Sequence, residues 1–259
     1  MKQPKTSGLD ADAAANSDHA AFPATHWSML MAVRAGAGTE QRSVLNFLIQ
    51  RYWKPVYCYV RRCGHGEEDA KDLVQEFFMA CLRNDLFAKA DPARGRFRNF
   101  LLRSLENFLH NKLREAQAQK RRPKGGFVSF DELLSDAGAI YVPQKEETPA
   151  EAYARAWILN LLQRVLNALE QECHATGKHT HFELFRQRIV APALEGAQPP
   201  PLSELAPSYG LTEKEAANQL ITARRAYQRL LREEIRLYAT DDAEVAEEIQ
   251  DIFRFLAGS

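Results

Sequence analysis

Apolar residues recur at helical spacing along most of the chain. In residues 68–81, Ala70, Leu73, Val74, Phe77, Phe78 and Cys81 fall at i, i+3, i+4 and i+7, the stripe of a helix with one buried face. The same period runs through 41–63 (QRSVLNFLIQRYWKPVYCYVRRC), 97–122 (FRNFLLRSLENFLHNKLREAQAQKRR), 151–172 (EAYARAWILNLLQRVLNALEQE) and 211–239, with a shorter run from Thr25 (THWSMLMAVRA). Gly36, Gly38, Gly64 and Gly66 punctuate the early runs, and Pro55 predicts a kink or a restart inside the second. No segment alternates apolar and polar residues long enough to predict a sheet. The fold class predicted is therefore all-α.

The breaks between these runs divide the chain. Residues 1–24 are rich in Ala, Asp, Ser and Asn without periodicity and read as a disordered tail. Residues 25–122 form a first helical domain, 123–150 an interdomain linker, 151–237 a second helical domain, and 238–259 an acidic amphipathic helix. The linker assignment follows from its length, because a structureless stretch of roughly 25 residues is uncommon inside a compact domain. A chain of 259 residues with 45 % apolar content suits two such domains. No apolar run approaches the roughly 20 residues of a membrane span. The start of the chain lacks a basic and then greasy export signal, so a cytoplasmic protein is expected. Cys58, Cys63, Cys81 and Cys173 show no CxxC spacing and are expected to be reduced thiols.

Charge is balanced overall, with 34 basic and 34 acidic residues, but it is unevenly placed. Glu68, Asp69, Asp72, Gln75 and Glu76 crowd the polar face of the 68–81 helix with only Lys71 nearby. Between Arg94 and Lys124, Arg94, Arg96, Arg98, Arg103, Lys112 and Arg114 alternate with Phe97, Phe100, Phe108, Asn99, Asn107 and Asn111. Cations that hold phosphates beside aromatics that receive an unstacked base suit single-stranded or melted DNA, although the phenylalanines also fit a core stripe. Around Gly210, Leu202 and Leu205 precede a turn, and Thr212 with Glu215 makes a capping box. That is a helix-turn-helix pattern, whose second helix would present Lys214, Glu215, Asn218, Gln219, Thr222, Arg224 and Arg225, unless the pair is a plain helical hairpin.

Other chemistry is less well supported. Cys173, His174, His179 and His181 are zinc-competent residue types, but their spacing matches no structural zinc pattern, and no metal site is expected. Asp69, Asp72 and Glu76 lack a second carboxylate helix to share a cation. There is no Gly-rich phosphate loop, Ser elbow or catalytic triad, so neither catalysis nor a cofactor is expected.

The order of an acidic Gln-bearing helix, a basic aromatic helix, a linker and a helix-turn-helix resembles the extracytoplasmic-function sigma factors of bacterial RNA polymerase, within the sigma-70 superfamily. RYWKPVYCYVRRCGHGEEDAKDLVQEFFMACLR is similar to that family's first conserved region, and DPARGRFRNFLLRSLENFLHNKLR to its promoter-melting region. The resemblance covers about residues 25–122 and extends over 151–237. It implies that Asp69, Asp72, Gln75, Glu76 and Phe77 dock on the clamp helices of the largest subunit of core RNA polymerase, with the flap as a further contact. It also implies that Arg94, Arg96, Arg98, Asn99, Phe100, Arg103, Asn107, Lys112 and Arg114 meet the minus-ten element of promoter DNA. Thr212, Lys214, Glu215, Asn218, Gln219, Arg224 and Arg225 would meet the minus-thirty-five element. Glu106 stands where the family usually has Arg beside Asn107, and Ala216, Ala217 and Thr222 replace usual recognition-helix residues. The resemblance also admits an anti-sigma partner. Two rivals stay open: an autonomous helix-turn-helix regulator, and a polymerase-binding helical adaptor without promoter specificity. For residues 238–259 the expectation is a helix that folds back on the second domain or shields its basic DNA-binding surface, or one that simply packs on the core.

Overall fold

The computed structural model describes residues 39–83, 86–89, 91, 95–118, 147–239 and 241–257. The tail expected over 1–24, the helical run from Thr25, the interior of the linker and Arg94 lie outside the described residues. Within them the regular structure is helical: α1 (Thr39–Arg62), α2 (Glu67–Arg83), a 3-10 turn (Leu86–Lys89) and α3 (Phe97–Ala118) in the first half. The second half holds α4 (Pro149–Ala175), α5 (His179–Phe185), α6 (Ala191–Glu195), α7 (Leu202–Ser208), α8 (Glu213–Arg236) and α9 (Asp242–Ala257). A wide turn, Arg186–Val190, joins α5 to α6, where Pro192 has no N–H to return to the helix.

The stripe read from residues 68–81 is the buried face of α2: Ala70, Val74, Phe77, Phe78 and Cys81 are in the core and Leu73 packs against it. It meets Leu48, Tyr52, Val56 and Val60 of α1 and Phe97, Leu101, Leu105 and Leu109 of α3. Phe77 joins two of these elements, its ring 5.6 Å from Phe108 and 5.4 Å from Phe78. Helix α1 runs through Pro55 without restarting, contrary to the restart that the proline allowed. Gly64, at φ 95°, then closes α1 in a conformation that a side chain would oppose.

The two halves pack against each other through one continuous core. Tyr153, Ala156, Trp157, Leu161 and Val165 of α4 lie in the same apolar cluster as the α1–α3 residues, together with Leu231 and Ile235 of α8. Polar groups cross the same seam. Glu234 of α8 accepts from Arg51 of α1 at 3.0 Å and from Arg164 of α4 at 2.9 Å. Asn160 donates to the Arg51 carbonyl at 3.2 Å and accepts from Arg164 at 3.0 Å. The Arg62 side chain donates to the Glu147 carbonyl, and the nearly buried Glu147 carboxylate pairs with Arg155.

Helix α4 starts on a capping box, Thr148 and Glu151, with Pro149 in the first turn. Helix α8 starts on the expected one, Thr212 and Glu215. Each such cap contributes about 1 kcal/mol. In both, the hydrogen bonds donated to the carboxylate by the threonine backbone and hydroxyl hold the glutamate below its ordinary range.

All four cysteines are free thiols. Burial pushes Cys58 and Cys81 up to about 12, whereas Cys63 is exposed. A disulfide-exchange reagent should therefore modify one thiol of the native protein, at Cys63, and reach the others only on unfolding. Rapid reaction of Cys58 in the native protein would contradict the packing of α1 against α4.

Candidate functional site

Three polar surfaces carry the residues singled out from the sequence. The first is the outer face of α2. Asp69 and Asp72 are exposed, and Gln75 and Glu76 are half-buried at its edge. Lys71 pairs with Glu67 at 3.0 Å and Glu68 at 2.9 Å, which balances the first turn of the helix. Lys112 of α3 reaches Glu76 at 2.6 Å, so this face draws a cation from the neighbouring helix that periodicity could not reveal. Phe77 is only 1 % exposed, which corrects its expected place on the docking face. A partner resting on α2 meets the carboxylates, and Phe77 props the helix from behind.

The second surface is α3. Its core side is Phe97, Leu101, Leu105 and Leu109, so Asn99, Arg103, Asn107 and Arg114 fall on the opposite face and are exposed. Phe100 and Phe108 flank that stripe half-buried, and Lys112 sits beside Phe108 with its ammonium 5.6 Å from the ring centroid. Glu106 accepts from the Tyr59 hydroxyl at 3.4 Å, which turns it toward α1. The outcome is a ridge of amides and cations with aromatic rings at its side, suited to a phosphate backbone with displaced bases.

Arg96 and Arg98 leave this ridge. Arg98 is taken inward, its guanidinium 4.4 Å from the Trp157 ring centroid and paired with Glu248 of α9. Burial lowers its affinity for a proton from the ordinary arginine value. Arg96 pairs with Glu248 at 2.6 Å, Asp251 at 2.7 Å and Glu247 at 3.5 Å. Both are therefore bound by carboxylates of the last helix, a correction to their expected place in an open DNA surface. Helix α9 also packs against the second half, where Arg236 pairs with Asp242 at 2.9 Å and the Arg155 guanidinium lies 5.5 Å from the Phe255 ring, but the cations bound by its buried carboxylate, Arg96 and Arg98, sit at the start of α3.

The third surface is the α7–α8 pair. Gly210, at φ 66°, ends α7, with the Leu211 N–H bonded to the Ala206 carbonyl at 3.0 Å and the Gly210 N–H to Pro207 at 3.1 Å. Leu202, Leu205 and Leu211 close over Ala206 and Ala216 as a small core of their own. Lys214, Asn218, Arg224 and Arg225 are exposed, and Ile221 stands among them 46 % exposed. Thr212 and Glu215 are occupied with each other in the cap. Gln219 is half-buried, its side-chain oxygen enclosed without a hydrogen bond.

The histidine cluster gathers no metal-ligating set. His174 and His179 meet edge to face at 4.3 Å, Cys173 faces the core, and no group of three or more His, Cys, Asp or Glu among the described residues is placed to hold a metal. No helix of the described residues is long and apolar enough to cross a membrane.

Comparison with known families matches residues 48–119 to the family described as Sigma-70 region 2, a stretch that contains most of α1, all of α2 and α3, and thus the first two surfaces. The match supports a sigma-70 family member. No curated protein and no solved structure matches the chain.

Proposed function

We propose that this protein is a sigma factor of the extracytoplasmic-function type, which joins core RNA polymerase, directs it to promoters and helps to open them. The observation that carries the proposal is the placement, within the stretch that matches sigma region 2, of two separate surfaces on adjacent helices. The α2 face is acidic and suits a basic partner, with charges that speed encounter and fix register. The α3 ridge of Asn99, Arg103, Asn107 and Arg114 beside Phe100 and Phe108 suits melted DNA.

On this reading Asp69, Asp72, Gln75 and Glu76 meet the polymerase clamp. The exposed side of α8, with Lys214, Asn218, Arg224 and Arg225, is the candidate for duplex DNA upstream, contacted through phosphates and base edges. No cofactor is required, since the polymerase supplies the chemistry. The protein works in the cytoplasm. Native gel electrophoresis with purified core RNA polymerase tests the first step. A stoichiometric complex is expected, and its absence would remove the reading.

A further inference from the structure

Helix α9 presents Glu247, Glu248 and Asp251 at i, i+1 and i+4 to the start of α3. Three carboxylates thus converge on two guanidiniums, and Glu248, at 1 % exposure, sits between Arg96 and Arg98. Arg254 adds a further tie to Asp251 at 2.8 Å. The open groove between the two helices is lined by Arg96 and Asn99 on one side and by Asp241, Glu244, Glu247 and Asp251 on the other. A nucleic-acid phosphate approaching Arg96 through this groove meets an acidic wall.

This arrangement is more than anchorage requires. Helix α9 already buries Val245 and Ile252 in the main core and packs Ile249, Phe255 and Leu256 against it. Burying ion pairs adds little net stability to a helix so held, because desolvation offsets the attraction. What the carboxylates do accomplish is to occupy the cations, in the positions that phosphate oxygens would take. We propose that α9 is an acidic strap that holds Arg96 and Arg98 in place of nucleic-acid phosphates, so that DNA engages the start of α3 only when α9 is displaced. The proposal rests on the reading of α3 as a DNA surface.

Helix α9 is joined to α8 through residues 237–241 alone, and its displacement uncovers both its own apolar stripe and the part of the main core that Val245 and Ile252 close. The exposed ridge farther along α3, at Arg103, Asn107 and Arg114, stays available throughout. First contact there, followed by exchange of carboxylates for phosphates at Arg96, is the order that the geometry favours.

The test is the affinity of the full-length protein for a fluorescein-labelled single-stranded oligonucleotide of mixed sequence, read by anisotropy. The variants are Glu247→Gln/Asp251→Asn, which alters exposed or half-buried groups, and the same pair with Glu248→Gln. Glu170→Gln/Glu183→Gln removes the same charge as the double strap variant elsewhere, Arg103→Ala/Arg114→Ala cuts the ridge, and thermal melts followed by circular dichroism verify folding. The strap variants are expected to bind about five- to tenfold tighter than wild type, an ordinary size for coupling between a switch and a site. The charge-matched control should change little, and the ridge variant should bind more weakly. Strap variants that equal wild type or the charge-matched control, with a weakened ridge variant, would overturn the strap and leave the DNA surface standing. A ridge variant that binds like wild type would remove the DNA surface and the strap with it.

Discussion

Replacing Glu234 with alanine is expected to destabilise the protein by about 2–4 kcal/mol, measured as the change in unfolding free energy in urea. The carboxylate lies 3.0 Å from Arg51 and 2.9 Å from Arg164, on three helices from both halves of the chain, with side-chain exposures of 20 %, 13 % and 25 %. Removing it leaves two guanidiniums facing each other in a poorly hydrated seam. Arg51 is already held below its ordinary value, chiefly by burial and in part by repulsion from Arg164, while Glu234 opposes both. The Phe47 ring, 3.5 Å from the Arg51 guanidinium, remains as partial compensation. That residual contact and the residual exposure keep the expected loss below that of a fully buried triad. A change under about 0.5 kcal/mol would mean that water serves these arginines as well as Glu234 does.

The largest functional loss is expected from Asp69→Lys/Asp72→Lys. Both side chains are exposed, so the double reversal leaves the core of α2 intact while turning an attractive face into a repulsive one. Native-gel titration should show at least a hundredfold weaker association with core RNA polymerase, in the range seen when close charge pairs across an interface are broken. The cost to folding should be small. Asp69 is in the first turn of α2, where a cation opposes the helix dipole by about 0.3–1 kcal/mol. Glu76→Lys is a poorer probe, because it also breaks the pair with Lys112 and disturbs the α3 ridge. Unchanged association of the Asp69/Asp72 variant would place the polymerase contact elsewhere.

What could be read from the sequence is what is local. The apolar stripe of 68–81, the capping box at Thr212 and Glu215, and the turn at Gly210 depend on residues a few positions apart, and the structure realises each. The start of α4 carries the same signature in Thr148-Pro149-Ala150-Glu151, but the linker expected to run to residue 150 took in this cap, and the helix starts at Pro149. Pro55 does not restart the helix, because the one helical bond and the clash that a proline costs are absorbed by the packing of α1 on α2 and α4.

Pairings between distant residues were not legible. The acidic stripe of α9 and the cations at 96 and 98 are each plain in the sequence, but nothing in either says that they meet across 150 residues of chain. The same holds for Lys112 with Glu76 and for Arg51 with Glu234. Periodicity shows that α1 and α4 each have an apolar face without showing that the two faces share a core. Phe77 illustrates the converse: the helix phase already set it in the apolar stripe, the resemblance implied a contact residue, and the structure follows the phase.

A sigma factor is tested most directly by run-off transcription from a library of promoter fragments with purified core RNA polymerase, with and without the full-length protein. Discrete start sites are expected that appear only with the protein, share an upstream sequence and vanish with Asp69→Lys/Asp72→Lys. A stable complex with core polymerase that creates no new start site would contradict the sigma-factor reading and make the protein a polymerase-binding adaptor.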